Sequence, residues 1–173
     1  ALESVLGLAL EQGLIDDAVV AESLAQSQAL WHLRESISLA QSEEGLNIKH
    51  DISLPVSAIP AFVAQTDAAL QARVPGVRLV NFGHLGDGNL HYNVQAPEGD
   101  SAPAFLAAHE EAFNALVYDA VCRFGGSISA EHGIGALKRE QLPQYKSPVA
   151  LRLMRQIKTA LDPLGRLNPG RVL

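Results

Sequence analysis

A hairpin signature, FGHLGDGNLHYNV at residues 82–94, constrains the fold of this 173-residue chain more than any other feature. Asp87-Gly88 is among the strongest signals for a two-residue type I′ turn between antiparallel strands. With these two residues at the centre of the turn, His84 faces His91, and directly opposed residues have Cβ atoms about 4.5–5.5 Å apart. The pattern therefore predicts two imidazoles that share one face of a hairpin and can converge on a metal ion.

The side chains of a strand alternate between its two faces, so the same pattern assigns the neighbours of the histidines. Phe82 and Asn93 are expected on the histidine face. The opposite face is apolar and can therefore pack on helices. Its residues are Leu85, Leu90, Tyr92 and Val94.

Predicted helices and strands interleave along the rest of the chain. HDISLPV is predicted as a strand that ends at Pro55, and SISAEHGIG as a strand that runs into a helix holding Leu137 and Leu142. The first predicted helix ends at Gly13, and the others cover residues 22–41, 57–73, 103–124 and 147–161. A hairpin among interleaved helices and strands predicts an α+β fold with a largely antiparallel sheet.

Zinc usually takes three or four protein ligands, so the two histidines need a further ligand. SAEHGIG places Glu131 and His132 side by side where a strand is expected to meet a helix. Two histidines, one glutamate and an open position for substrate form the ligand set of a catalytic zinc site, and His132 is then free to act as a base. The simpler alternative is a hairpin whose histidines make ordinary hydrogen bonds.

A second group of polar residues precedes the hairpin, in LWHLRESISLAQSEEGLNIKHDISLP. Arg34 and Ser38 are four residues apart on a predicted helix and therefore share a face, and Lys49 stands just before a predicted strand. A guanidinium, a hydroxyl and an ammonium together suit the recognition of a carboxylate, although each alone is more often a solvated surface group. Three other histidines are interpreted as structural or surface residues: His32, His50 and His109.

Composition and missing motifs exclude several classes of protein. The formal net charge of −6, with no cluster of Lys and Arg, argues against a nucleic-acid partner. No apolar run is long enough to span a bilayer, and the single cysteine, Cys122, excludes an intrachain disulfide. The sequence also lacks the GxGxxG, Walker, HExxH and GxSxG patterns. A reduced, cytoplasmic protein is therefore expected.

Three motifs, GHLGDGNLHYNV, GGSISAEHGIGALKRE and DPLGRLNPGRVL, resemble in this order the C-terminal domain of FAD-linked oxidases. These are the D-2-hydroxyacid dehydrogenases related to vanillyl-alcohol oxidase. The resemblance covers nearly the whole chain and implies a ferredoxin-like cap, an antiparallel sheet flanked by helices and placed over the flavin. WHLRESIS and KHDISLPVSAIP are most similar to the D-2-hydroxyglutarate type, with D-lactate dehydrogenases and the glycolate oxidase flavin subunit as alternatives.

The resemblance also implies roles for individual residues. It implies that a divalent metal, usually zinc, is bound by His84, His91 and Glu131, and that His132 is the general base. Substrate-binding roles are implied for Asn93, Arg34, Ser38 and Lys49, the last three on carboxylates. Asn168 is expected near the flavin. Ser38 stands where similar sequences commonly have Thr, and Arg171 where the tail motif more often has Lys.

The implied reaction oxidises a small 2-hydroxyacid to a 2-oxoacid, with FAD as the hydride acceptor. By the same resemblance, residues 1–173 are expected to be a C-terminal cap fragment whose FAD-binding domain precedes Ala1, and the electron acceptor stays open. We expect this chain alone to be inactive and to self-associate as a homodimer through the cap surface that the FAD domain covers. A non-catalytic metal-binding module is the alternative from another class, but it leaves Arg34, Ser38 and Lys49 unexplained.

Overall fold

The first 45 residues form a helical unit of their own. The structure, a computed structural model, describes residues 1–173 and divides them into two compact units, Ala1–Gly45 and Leu46–Leu173. The helices of the first unit are α1 (Leu2–Glu11), α2 (Leu24–Glu35) and α3 (Ile37–Glu43). None of the helices in the chain combines the length and the apolar character that crossing a membrane requires.

The helix predicted over residues 22–41 is interrupted at Ser36. The Ser36 hydroxyl donates a hydrogen bond to the carbonyl oxygen of His32 at 2.7 Å, and such bonding back to the preceding turn bends helices. Arg34 therefore lies in α2 and Ser38 in α3, one on each side of the interruption. The prediction that one continuous helix carries both residues was wrong.

The second unit is built on a three-stranded antiparallel sheet with the strand order β1-β3-β2. The strands are β1 (Ile48–Ser53), β2 (Arg78–His84) and β3 (Asn89–Gln95). The helices are α4 (Ile59–Arg73), α5 (Ala102–Arg123), α6 (Leu142–Tyr145) and α7 (Pro148–Leu161). Because β3 is antiparallel to both neighbours, β1 and β2 are parallel and separated, which is the split βαβ arrangement of ferredoxin-like folds. The predicted α+β class is confirmed.

The chain leaves α5 in a direction that brings it directly to the edge of β1. The amides of Gly125 and Gly126 donate to the carbonyls of Cys122 and Val121 at 3.0 and 2.9 Å, which is the Schellman termination of a helix. A Cβ at Gly126 would lie 2.3 Å from the carbonyl oxygen of Ser53, so only glycine allows this approach. The predicted end of this helix at residue 124 agrees with α5 to within one residue.

The strand expected in SISAEHGIG is reduced to a single antiparallel bridge between Ser53 and Ser127. Beyond it, the amides of Ala130 and His132 donate to the side chain of Asp51, so they are unavailable to a strand or a helix. The helix expected to hold Leu137 and Leu142 is reduced to α6, which begins at Leu142, and Leu137 lies outside it and is 94% exposed. The segment from Ser127 to α6 is therefore a loop held by hydrogen bonds.

The predicted hairpin is present, but its turn is longer than the sequence pattern indicated. Four residues, 85–88, connect β2 to β3, so His84 pairs with Asn89, and His91 pairs with Phe82. Gly88 is held at the end of β1, where its carbonyl oxygen accepts a hydrogen bond from the Leu54 amide at 2.9 Å. The register differs from the prediction by two residues, which keeps both histidines on one face because the side-chain period of a strand is two.

The opposite face of the sheet forms the core with α4 and α5. Leu90, Tyr92 and Val94 lie there as predicted, whereas Leu85 belongs to the turn and is 65% exposed. Core residues from β1, α4 and α5 include Ile48, Ile52, Phe62, Leu70, Phe113 and Val117. The helices predicted over residues 57–73, 103–124 and 147–161 are confirmed by α4, α5 and α7.

One core position carries an imidazole. His50 is 1% exposed, and its Nδ1 donates to the carbonyl oxygen of Tyr92 at 2.8 Å. The Tyr118 ring packs nearly perpendicular to it, with ring centroids 5.5 Å apart and an interplanar angle of 86°. Burial lowers the pKa of His50 to about 4, because a charged imidazole would lose its hydration here.

We predict that His50 makes the folded state sensitive to acid. Its pKa is about 4 when folded and about 6.5 when unfolded, so the unfolded chain binds more protons between these values. The stabilisation from the neutral imidazole is complete above pH 6.5 and falls as the pH decreases towards 4, by about 3 kcal/mol in all. Urea unfolding of His50→Gln should therefore show a flatter pH dependence over this range. His109→Gln is the control, and equal slopes in the wild type and His50→Gln would contradict the prediction.

Candidate active site

Polar side chains occupy the face of the sheet opposite the core. In the register of β1 and β3, Lys49 pairs with Asn93 and Asp51 pairs with His91. Phe82 of β2 pairs with His91 on the other side of β3, and its ring lies 5.0 Å from the imidazole, between centroids. The prediction that Phe82 and Asn93 share the histidine face is confirmed.

The three predicted metal ligands meet at the turn end of this face. Glu131, from the loop after Ser127, places one carboxylate oxygen 3.0 Å from His84 Nδ1 and the other 3.7 Å from His91 Nε2. The two histidines are diagonal neighbours, so the carboxylate lies between imidazoles that do not face each other directly. The prediction that these three side chains converge agrees with the structure. The predicted pairing of His84 with His91 was wrong, because His84 pairs with Asn89.

The donor set fits a divalent ion of the zinc class. Imidazole nitrogens and a carboxylate oxygen are ordinary zinc ligands, and a catalytic site keeps one position open. The His84 and Glu131 side chains are 59% and 44% exposed, whereas that of His91 is 16% exposed. The site is thus anchored in the sheet on the His91 side and accessible from solvent on the other.

Asp51 is the polar residue of this face that sequence reasoning missed. Its side chain is 4% exposed, and it accepts hydrogen bonds from the Ala130 and His132 amides at 3.1 and 2.8 Å and from Asn89 Nδ2 at 3.2 Å. Burial alone would raise the pKa of Asp51, but these bonds and the nearby His132 lower it below the usual value. A charged residue between His50 and Ile52 in the predicted strand HDISLPV was the available signal.

A second possible donor set shares His91 with the first. Donor atoms of Asp51, His91 and His132 all lie within 4.8 Å of one another. The Asp51 oxygens already accept three N–H groups, however, and a carboxylate offers about four lone-pair sites. Asp51 therefore has about one lone-pair site left for an ion, whereas the contacts described for the Glu131 carboxylate are with the two imidazoles themselves, which favours the set of His84, His91 and Glu131.

His132 lies beside the ligands with its side chain in solvent. Its ring centroid is 5.7 Å from that of His91, and the planes are inclined by 30°. The backbone of His132 is fixed by Asp51, while the imidazole is exposed. An imidazole in this position can exchange protons with a molecule bound at the open side of the site.

The Lys138 ammonium links this loop to β1 through hydrogen bonds. Its Nζ donates to the carbonyl oxygens of Ile128 at 2.7 Å and Asp51 at 3.4 Å, and it lies 5.7 Å from the centroid of the Tyr118 ring. Burial lowers the pKa of Lys138, and the Asp51 charge partly offsets this shift. The ammonium thus ties the start of the loop to β1, a role that its position in GALKRE did not predict.

The remaining predicted residues lie in several elements. Lys49 is exposed on β1, and Asn93 is 5% exposed on β3. Arg34 and Ser38 belong to the Ala1–Gly45 unit, so their part in one site with Lys49 stays a prediction. Asn168 is exposed in the tail and has a positive φ of 46°, and its place near a flavin also stays a prediction.

The sequence matches one protein-family model and several named proteins. The model of a family described as "FAD linked oxidases, C-terminal domain" matches residues 1–172. A D-2-hydroxyglutarate dehydrogenase of Xanthomonas citri pv. viticola is 45% identical over 163 residues, which is 94% of this chain and 34% of that protein. The corresponding protein of Stutzerimonas stutzeri is 40% identical over 163 residues, 94% of this chain and 35% of its own length.

Eukaryotic relatives carry the same name with a cellular location. The mitochondrial D-2-hydroxyglutarate dehydrogenase of Rattus norvegicus is 42% identical over 172 residues, which is 99% of this chain and 31% of that protein. The chain therefore spans about a third of the length of the curated relatives it matches.

We predict that His84→Ala and His132→Gln separate the two donor sets. If the ion is held by His84, His91 and Glu131, His84→Ala should lose zinc affinity by more than the roughly 10–100-fold typical of residues that only orient a ligand. His132→Gln should retain one ion per chain, because its ring is outside that set. Elemental analysis and competition with a chelator measure both effects. The reverse pattern would assign the ion to Asp51, His91 and His132.

Proposed function

The chain belongs to the family of FAD-linked oxidase C-terminal domains, and on that basis we propose that it is the substrate- and metal-binding domain of an FAD-dependent D-2-hydroxyacid dehydrogenase. The observation that carries the proposal is the convergence of His84, His91 and Glu131 beside the exposed imidazole of His132. The D-2-hydroxyglutarate type is favoured, because relatives at 40–45% identity carry that name. D-lactate and glycolate are the alternative substrates.

The proposed metal is zinc. His84 and His91 would hold it through imidazole nitrogens and Glu131 through a carboxylate oxygen. When bound, the ion supplies a Lewis acid that lowers the pKa of a substrate hydroxyl. The exposed side of the site leaves room for the hydroxyl and one carboxylate oxygen of a 2-hydroxyacid.

His132 acts in this proposal as the general base. It takes the proton of the 2-hydroxyl, and its exposure lets it pass that proton to solvent. The backbone hydrogen bond to Asp51 keeps the residue beside the ligands while its ring stays accessible. FAD supplies the hydride acceptor for the C2 hydrogen.

Substrate carboxylates are assigned to cationic and polar side chains. Lys49 and Asn93 lie side by side on the polar face of the sheet, where an ammonium and an amide can bind one carboxylate. Arg34 and Ser38 are proposed to bind the distal carboxylate of a dicarboxylic substrate, on the strength of the sequence resemblance. Asn168 is proposed to contact the flavin on the same ground.

We also propose that an FAD-binding domain in the same polypeptide is the main partner, with the electron acceptor left open. An apolar stripe along α7 supports the expectation that the isolated chain forms a homodimer, because extended apolar surfaces favour association. Its residues are four positions apart and each is at least 52% exposed: Val149, Leu153, Ile157 and Leu161. The cytoplasmic location stays a prediction.

We predict that Arg34→Ala discriminates between substrates. In the full-length enzyme, KM for a dicarboxylic 2-hydroxyacid should rise roughly 10- to 150-fold, as expected for the loss of a charge-assisted contact worth about 1.5–3 kcal/mol. KM for D-lactate, which has no distal carboxylate, should change little. Arg152→Ala in α7 is the matched control. Equal losses on both substrates would move Arg34 to the shared carboxylate or to a structural role.

We predict that His132→Asn separates catalysis from binding. Loss of a general base should lower kcat about 10²–10⁴-fold, while KM and the zinc content change little. His109→Asn, on α5, is the control for loss of an imidazole. Retention of wild-type kcat by His132→Asn would exclude His132 as the base.

A further inference from the structure

We propose that Asp51 is a positioning residue whose single carboxylate fixes both the metal ligand His91 and the loop that carries Glu131 and His132. The proposal rests on the function proposed above. Asp51 lies on β1 directly opposite His91 of β3, and its side chain is 4% exposed. Each of its two oxygens faces a different part of the site.

The first oxygen faces the histidine. Asp51 Oδ1 lies 3.7 Å from His91 Nδ1, and on the other edge of the ring His91 Nε2 lies 3.7 Å from the Glu131 carboxylate. A neutral imidazole carries its proton on one nitrogen, and a neighbouring carboxylate favours the proton on the nitrogen nearest to it. A carboxylate faces each ring nitrogen at the same distance, so the tautomer depends on the ion: when Nε2 and Glu131 hold it, Asp51 is the carboxylate left to accept from Nδ1–H and to orient the ring.

The second oxygen holds the loop on both sides of Glu131. Asp51 Oδ2 accepts hydrogen bonds from the amides of Ala130 and His132, at 3.1 and 2.8 Å. These residues immediately precede and follow Glu131, so the bonds fix the backbone from which its side chain projects. The same two bonds set the position from which the His132 imidazole extends.

The surroundings of Asp51 make this arrangement rigid. Asn89 Nδ2 donates to Oδ1 at 3.2 Å, and the ammonium of Lys138 donates to the backbone carbonyl of Asp51 at 3.4 Å. A buried carboxylate is costly unless it is hydrogen-bonded, so any displacement of the loop would leave the charge of Asp51 poorly satisfied. The loop and His91 are therefore held in place by the same group.

Asp51→Asn in the full-length protein tests the proposal, because it keeps the shape of the side chain and replaces one oxygen by an amide NH2. The variant can still accept from a loop amide, but it cannot satisfy Asn89, His91 and both loop amides together. Zinc affinity, measured with Zn²⁺ and a competing chelator, should fall about 10–100-fold. Hydrogen exchange of peptides covering residues 128–134 should become faster.

Asp87→Asn is the matched control. It removes the same charge from the exposed turn of the same hairpin, where Asp87 accepts only the Asn89 amide among the described hydrogen bonds. Zinc affinity and exchange of residues 128–134 should stay at wild-type values in this variant. A loss of affinity equal to that of Asp51→Asn would show that charge alone explains the effect and would overturn the proposal.

Comparison with His84→Ala separates this proposal from the function on which it rests. If Asp51→Asn binds Zn²⁺ like the wild type and His84→Ala does not, the metal site stands and the role of Asp51 is wrong. If neither variant loses affinity, the proposed metal site itself is wrong. Should Asp51→Asn fail to fold, ¹⁵N NMR of the histidine-labelled, zinc-loaded wild type decides the matter. Nδ1–H at His91 supports the proposal, and Nε2–H overturns it.

Discussion

The pairing of β1 with β3 determines where every part of the site lies. Because side chains alternate, this register sends Ile48, His50 and Ile52 into the core and leaves Lys49 and Asp51 on the polar face. A shift of one residue would exchange the two sets, burying an ammonium and exposing isoleucines. The burial of apolar side chains against α4 and α5 thus positions the polar face without any direct contact with it.

The loop that follows α5 depends on a different kind of force. It has almost no regular secondary structure and few apolar anchors, so its conformation is set by hydrogen bonds to β1. The loop begins at the bridge between Ser53 and Ser127. The Lys138 ammonium donates to the carbonyl oxygen of Ile128, and the Asp51 carboxylate accepts from the His132 amide. A site of this construction combines a rigid sheet with a segment whose order depends on a few polar groups.

The sequence was informative where periodicity and local turn chemistry decide the structure. The helices α4, α5 and α7, the hairpin and the face shared by His84 and His91 follow from patterns of a few residues. The exact turn and the loop after Ser127 depend on contacts between distant segments, which no local pattern encodes. Asp51 escaped notice for the same reason, since its hydrogen-bond partners in the loop are about 80 residues away. The break at Ser36 comes from a local hydroxyl-to-carbonyl hydrogen bond that the spacing of apolar residues does not indicate. The resemblance supplied the predicted ligand residues His84, His91 and Glu131, and the structure brings their side chains together.

The close approaches at Gly88 and Gly126 have a mechanical consequence. A Cβ at Gly88 would lie 2.1 Å from the Leu54 carbonyl oxygen, and one at Gly126 would lie 2.3 Å from that of Ser53. The hairpin turn and the loop are therefore pressed against two consecutive peptide groups at the end of β1. The turn that follows His84 and the loop that carries Glu131 therefore share one support, the end of β1. Two side chains that are exposed to solvent are thereby built on backbone segments that the same strand end holds in place.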